Sequence, residues 1–376
     1  MQLLEAFHDK GFIVEVGSAS AKSEHAAKLA HIVTAEHHFQ MNDSSFDVSV
    51  KEIAPTVVLF DRFMVEEQFG WRVEKACPSA LRILDTEDLH FLRKARQVKV
   101  LDQSPLNLHS ESAIREVAAI YRCDLSLIIS EVEMKLLQND FKMDPQILCY
   151  LPFLDSGMKH NVPLAFTERN HFVSIGNFMH PPNRDAVKIL ASEIWPMIRT
   201  RLPEAELHVY GAYPEQIDRE LHNPQQGIFM EGRADDASFV LNQAKVLLAP
   251  LRFGAGLKGK LFQCMQSSTP FVTTTIGLEG FQHDATPSDG WADFIDRAIE
   301  IYTQEKTWYE VVDHGKKALQ HFKPEDHIPT LFEALNNIQN NIETHRSKNF
   351  IGAMLRHHFM RSTEFMSRWI EEKSKR

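Results

Sequence analysis

Along the second half of the chain, apolar and polar positions follow a repeating order: a short apolar run, a glycine, then a stretch with a 3.6-residue period. The runs are HFVSIG (171–176), ELHVYG (206–211), GIFMEG (227–232), KVLLAPL (245–251) and PFVTTTIG (270–277). Most have the length and the β-branched content of a buried strand. Between the first two, NRDAVKILASEIWPMI carries the period of an amphipathic helix, with Asn183 as its expected N-cap. Strands alternating with helices predict a parallel, doubly wound sheet whose ligands sit at the carboxyl ends of its strands, where these glycines fall.

The first half repeats the pattern less completely, with candidate strands FIVEVG (12–17), TVVLF (56–60), LRILDT (81–86), LSLIIS (125–130) and QILCYLP (146–152). Between the halves, PFLDSGMKHNVPLAFTERN (152–170) has three prolines, a glycine and no period, as expected of a hinge. The reading is therefore an α/β chain of two Rossmann-like domains facing a cleft, 1–160 and 161–340, followed by a basic amphipathic helix, 341–376. At the start, MQLLEAFHDKG reads as the end of a helix stopped by Gly11, with a strand after it and none before. The first strand of a doubly wound domain is usually central, so the N-terminal domain is expected to be truncated or built abnormally.

Composition narrows the class only moderately. The 376 residues are 43% hydrophobic and 10% aromatic, which fits globular domains and not a disordered chain. Cys77, Cys123, Cys149 and Cys264 lie far apart without metal or disulfide spacing, as thiols in a reducing compartment do. No apolar run approaches the roughly 18 residues of a membrane span, and the N-terminus has no signal-peptide pattern, so a cytoplasmic location is expected. The formal net charge of −10 divides unevenly: residues 345–376 carry +5 and the rest −15.

Against that acidic background, LRFGAGLKGKLFQC (251–264) crowds three glycines and the cations Arg252, Lys258 and Lys260 into nine positions. The stretch spells G-x-x-x-x-G-K from Gly254 to Lys260, but Leu261 stands where a P-loop needs a hydroxyl for magnesium. Gly254, Gly256 and Gly259 also spell the dinucleotide fingerprint G-x-G-x-x-G, and Glu279, twenty residues beyond Gly259, would be its ribose-binding acid. A plain tight turn with solvated lysines is a further reading. The ligand-binding readings share one physical basis: glycines let backbone approach an anion, helix N–H groups point at it, and cations neutralise it. With a helix from about Gly256, positions 256, 260 and 263 share one face and Leu257, Leu261 and Cys264 another.

With the loop placed after the fourth apolar run, residues 170–285 resemble the nucleotide-sugar domain of family 4 glycosyltransferases (glycosyl transferases group 1) of the GT-B fold. The resemblance is carried by SIGNFMHPPNRDAVKILASEIWPMIRTRLPEAELHVYGAYP (174–214), MEGRADD (230–236) and APLRFGAGLKGKLFQCMQSSTPFVTTTIGLEG (249–280). CPSALRILDTEDLHFLRKAR (77–96) and CDLSLIISEVEMKLL (123–137) are similar to the acceptor domain. The resemblance implies that Gly176 and Asn177 give access to the donor and that Gly232 and Arg233 border the base. It further implies that Arg252, Lys258 and Lys260, with the amides of Gly254, Ala255 and Gly256, hold the diphosphate. Gln263 stands where the family commonly has a ribose-gripping Glu, and keeps an acceptor while losing the charge. His90 is the candidate for a group near the reacting sugar, with Asp85 and Asp88 beside it. Glu131 and Glu133 are explained by the helix macrodipole.

The activity so implied is transfer of a sugar from a nucleoside-diphosphate donor to an unidentified glycan, lipid-linked glycan or small-molecule acceptor, with retention, without a metal and without a cofactor. Two alternatives stand beside it: a nucleotide-sugar-binding protein with impaired catalysis, and an NAD(P)-dependent oxidoreductase. The tail, HRSKNFIGAMLRHHFMRSTEFMSRWIEEKSKR (345–376), sets Ile351, Leu355, Phe359, Phe365, Met366, Trp369 and Ile370 among cations. It is expected to pack on the N-terminal domain through that apolar stripe. The other reading is a helix at an anionic membrane surface, giving a peripheral location. Nothing supports nucleic-acid binding.

Overall fold

The structure is a computed structural model that describes residues 2–21, 26–157, 162–284 and 286–375, and the side chains among them other than those of 359–361. Residues 158–161 of the expected hinge and the side chain of Phe359 in the tail stripe lie outside the described residues.

Eleven strands are described: β1 (Glu15–Ser18), β2 (Ala35–His38), β3 (Val57–Asp61), β4 (Leu81–Asp85), β5 (Leu125–Ile128), β6 (Leu148–Tyr150), β7 (Asn170–Ile175), β8 (Leu207–Tyr210), β9 (Ile228–Gly232), β10 (Ala244–Ala249) and β11 (Phe271–Thr273). They form a four-stranded sheet in the order β3-β4-β5-β6, a five-stranded sheet in the order β11-β10-β7-β8-β9, and a separate pair β1-β2, all parallel. Each apolar run of the sequence overlaps one of these strands. The strand that pattern reading missed is β2, AEHH, which has no apolar run to announce it. PFVTTTIG is strand only over 271–273, because Thr274 caps a short helix by accepting the amide of Gly277.

Each large sheet is buried on both faces, as crossover helices require. Phe172, Leu207, Val209, Val246 and Leu248 join Trp195, Ile198 and Phe294 in one cluster, and Val173, Leu247 and Ala249 join Leu261, Cys264 and Met265 on the other side. In the first half Leu84, Ile128 and Leu148 pack with Phe91, Ala119 and Ile120. Helix Pro324–Asn340 returns to this half: its Leu331, Phe332, Leu335 and Ile338 cluster with Phe7, Leu81, Ile83 and Leu125.

The expected N-cap at Asn183 shifts upstream. His180 holds the N-cap position, without a side-chain cap bond, of the helix Pro181–Ile189, whose first two positions are prolines that need no hydrogen-bond partner for an N–H. Asn183 is thereby placed inside the first turn, with its side chain free for another task. The same helix continues through a π-turn at Leu190–Ile194 into Trp195–Arg201, where Pro196 lacks the N–H for a regular ladder.

Helix Phe350–Ser374 packs on helices Glu111–Arg122 and Phe63–Ala76. It reaches the N-terminal half as expected, but the expected stripe takes part only through half-buried Leu355 and Ile370, while Ile351, Phe365, Met366 and Trp369 are exposed. Ser367 and Glu364 are 4% and 9% exposed, whereas Phe365 and Trp369 are 66% and 59% exposed. The inward face is held by polar contacts. Glu364 pairs with Lys75, Arg72 donates to Ser367 Oγ at 3.0 Å, and Ser44 donates to Glu371 at 2.6 Å. The Asn349 amide donates to Tyr121 O at 2.8 Å, and a Cβ on Gly352 would lie 2.1 Å from that carbonyl, so only glycine allows the helix so close.

Candidate functional site

The carboxyl ends of β7, β8, β9 and β10 open onto one edge of the second domain. β7 and β8 approach there through backbone alone: a Cβ on Gly211 would lie 2.3 Å from Gly176 O, and one on Gly176 2.6 Å from the side chain of Asn183. Asn183 Nδ2 donates to Asn177 O at 3.0 Å, and its Oδ1 accepts from Lys260 Nζ at 2.8 Å. Gly176, Asn177 and Lys260, separated by more than eighty residues, thus meet through Asn183, a linker the pattern reading had used as a cap.

Next to this knot, at the ends of β8 and β9, lies a cavity of about 390 Å³ lined by Phe178, Tyr213, Arg219, Met230, Gly232 and Arg233, among others. Gly232 has φ +76°, a turn that brings its backbone to the cavity edge without a side chain. Gly232 and Arg233, read as base-bordering residues, therefore line this cavity.

The glycine loop after β10 departs from a simple helix start. Gly256 has φ +60° and lies outside the helix, which begins at Gly259 with Lys258 as N-cap. The two faces otherwise divide as expected, with Leu261 and Cys264 fully buried and Gln263 exposed. Lys258 Nζ donates to Gly256 O at 2.6 Å, and burial pushes both Lys258 and Lys260 down to about 8. Arg252 is engaged elsewhere: its Nε donates to Asp185 Oδ2 at 2.9 Å in a two-pronged ion pair.

This loop faces the first domain. A Cβ on Gly256 would lie 2.8 Å from Asp88 Cβ, and Ala255 is buried in the cluster that contains Phe91 and Ile128. The Gly256 amide, read as a diphosphate donor, donates to Glu133 Oε1 at 2.9 Å, and the Leu89 amide donates to the same oxygen at 2.9 Å. Burial is the main cause that pushes Glu133 up to about 7. Arg96 crosses between the domains, donating to Gly254 O at 2.8 Å and to both oxygens of Glu279 at 2.6 and 2.7 Å. Glu279, read as the ribose acid of a dinucleotide site, has its carboxylate engaged by Arg96. The glycines of that fingerprint follow β10, the fourth strand of the second domain in chain order, and not a first strand.

His90 opens the helix His90–Leu101 on the facing wall. Its amide and that of Phe91 donate to the buried carboxylate of Glu116 at 3.1 and 2.9 Å. The ring lies edge-on to Phe63, with Nε2 3.5 Å from Asp88 Oδ1. Burial is the largest cause that lowers it to about 4, so the imidazole is neutral at pH 7. Asp85, which burial and the nearby Glu87 charge raise to about 6, ends β4 below it. His180 of the second domain is lowered chiefly by burial and feels the charges of Arg93, Asp88, Arg62 and Lys260. Pattern reading missed Arg96, His180 and the linking role of Asn183, and assigned Glu133 to a macrodipole; the contacts of Arg96 to Glu279, Lys260 to Asn183 and Gly256 to Glu133 all span long chain separations.

The sequence model of the family described as "Glycosyl transferases group 1" matches residues 169–304. No curated protein sequence matches the chain significantly. Among solved structures it is similar to Anabaena HepE in complex with UDP and glucose, at TM-score 0.64 and 12% identity over 89% of this chain and 94% of that one. It is also similar to WaaG, a glycosyltransferase involved in lipopolysaccharide biosynthesis, at TM-score 0.58 and 13% identity over 85% and 90%. The S. aureus protein TarM, solved with UDP, aligns at TM-score 0.60 and 12% identity over 78% of this chain, which spans only 58% of TarM. Two facing α/β domains, the cavity at the strand ends and the family match over the second domain converge: residues 169–304 are similar to group 1 glycosyltransferases, in a chain that shares the fold of the solved glycosyltransferase structures.

Proposed function

We propose that the protein transfers a sugar, with retention, from a nucleoside-diphosphate donor to a hydroxyl-bearing acceptor such as a glycan, without a resident metal ion. The observation that carries this reading is the pair Lys258 and Lys260, half-buried at the strand ends and, among the described residues, hydrogen-bonded to neutral oxygens, with Lys260 tied through Asn183 to Asn177, the neighbour of Phe178 in the 390 Å³ cavity. A diphosphate on these lysines places its nucleoside over Gly232 and Arg233 and its sugar in the cleft toward His90. As the sugar departs, the leaving diphosphate gains negative charge, which the lysines and the N-terminus of helix Gly259–Gln266 stabilise. Neutral His90 accepts a hydrogen bond from a sugar hydroxyl there. Gly176 and Asn177 contribute backbone, and Gln263 an acceptor oxygen. Arg252 and the amides of Gly254, Ala255 and Gly256 support the loop, with Asp185 and Glu133 holding two of them. The four free cysteines support a reducing, cytoplasmic compartment.

Titration calorimetry with UDP, GDP and NAD tests the reading. One nucleoside diphosphate is expected to bind, NAD is not, and Lys260→Ala weakens that binding by about 1–3 kcal/mol, the scale of a charge-assisted contact. Unchanged affinity in the variant removes the diphosphate assignment. Hydrolysis of the matching nucleotide sugar, undiminished by EDTA, separates a working transferase from a binding protein.

A further inference from the structure

Helix Phe350–Ser374 is turned with its apolar side away from the protein. Phe350, Ile351, Met354, Phe365, Met366 and Trp369 are all exposed, between 43% and 68%. Ile351, Met354, Phe365 and Trp369 recur at the three- and four-residue steps of a single helix face. The orientation is imposed from below by the polar contacts to Lys75, Arg72, Ser44 and Tyr121, so the apolar face has no freedom to roll inward.

Cations share the outer side. Lys348 is exposed, Lys373 Nζ lies 5.0 Å from the Trp369 ring, and Arg368 is 60% exposed beside Glu364. The segment 345–376 carries +5 on a molecule that is otherwise −15; with Arg346 and Arg356 turned inward to Asp124 and Glu74, the outer excess among the described side chains rests on Lys348, Arg368, Lys373 and Lys375 against Glu372. A two-fold contact between copies would set one such cationic face against another, and like charges oppose it. An anionic lipid surface offers both complements at once: headgroup charge for the lysines and arginine, and the interfacial zone for Trp369 and Phe365. We propose that this outward face docks the protein on an anionic membrane surface, with the helix lying in the interface plane.

The test uses the full chain and vesicles of phosphatidylcholine, with and without phosphatidylglycerol. Co-sedimentation is expected with the mixed vesicles, reduced by added NaCl, with a blue shift of tryptophan emission. Trp71, Trp195 and Trp308 are buried and Trp291 is half-buried against the core of the second domain, so the shift reports chiefly on Trp369, which is 59% exposed. The double variant Phe365→Ser with Trp369→Ser is expected to lose about tenfold or more in partitioning. Lys348→Glu with Lys373→Glu, which leaves the apolar residues in place, should lose binding to the mixed vesicles as well. Equal sedimentation of parent and both variants, or no sedimentation of the parent, overturns the proposal. A concentration-dependent dimer abolished by the aromatic variant overturns it in favour of a second copy. Vesicle binding needs no nucleotide, so its failure leaves the transferase reading standing.

Discussion

Two stretches concentrate cations on this acidic chain, and the fold treats them in opposite ways. In the tail, the inward cations are matched to carboxylates: Arg346 donates to Asp124 through two nitrogens at 2.8 Å, and Arg356 lies 3.8 Å from Glu74. Burial pushes Asp124 up, yet the Arg346 hydrogen bonds and the Arg82 charge more than offset it and hold the carboxyl below its ordinary value. In the loop, Lys258 and Lys260 bond to a carbonyl and an amide oxygen, and burial draws them down to about 8. A cation given a carboxylate fastens structure. One given only neutral oxygens keeps its charge available for an anion. By this criterion Arg252, paired with Asp185, behaves more like the tail than like its neighbours.

The contrast breaks most visibly at Asp124. Replacing it with Ala removes the carboxylate that Arg346 clasps and leaves buried Arg82 with Glu74 as its remaining carboxylate, and is expected to cost about 3–5 kcal/mol in urea unfolding. Stability near that of the parent would mean that the tail is not fastened by charge. Lys260→Ala should do the reverse, leaving the unfolding midpoint nearly unchanged while nucleotide affinity drops.

A pH series sharpens the loop side. Folding lowers both lysine pKa values from an ordinary 10.5 to about 8. Anion binding needs the protonated form, so affinity for the nucleoside diphosphate is complete well below pH 8 and declines as pH rises through it. The empty protein shows the opposite sign: holding these lysines charged is a cost, and stability gains as pH climbs through 8 toward 10.5. Calorimetric affinities that stay flat from pH 7 to about pH 9 would place the lysines outside the binding step. The smallest effect is expected for Trp369→Ser in urea unfolding, within about 0.5 kcal/mol, because the exposed ring supports little of the fold. A larger loss would mean that the ring packs on a neighbour.

Much of the fold was legible because buried parallel strands write themselves as apolar runs. The ten predicted strands are present, and AEHH escaped because a polar pair carries no such run. The loop was legible as an anion site from Gly and Lys spacing, while its helix start slipped from Gly256 to Gly259 because a left-handed turn leaves no trace in hydrophobic period. Glu133 looked like a first-turn acid and is one, capped by Ser130. Its second role, holding Gly256 across the cleft, depends on a residue 123 positions away.

Local composition thus determined which segments become strands, where glycines end them, and that the tail has an apolar face. Tertiary structure alone decided that Asn183 ties Lys260 to Asn177, that Arg96 holds Glu279, and that the tail turns its aromatic face outward. Periodicity records which residues share a face, because that depends on backbone geometry a few residues long. The direction a face points depends on charges and carbonyls contributed by distant segments, and these meet only once the chain has folded.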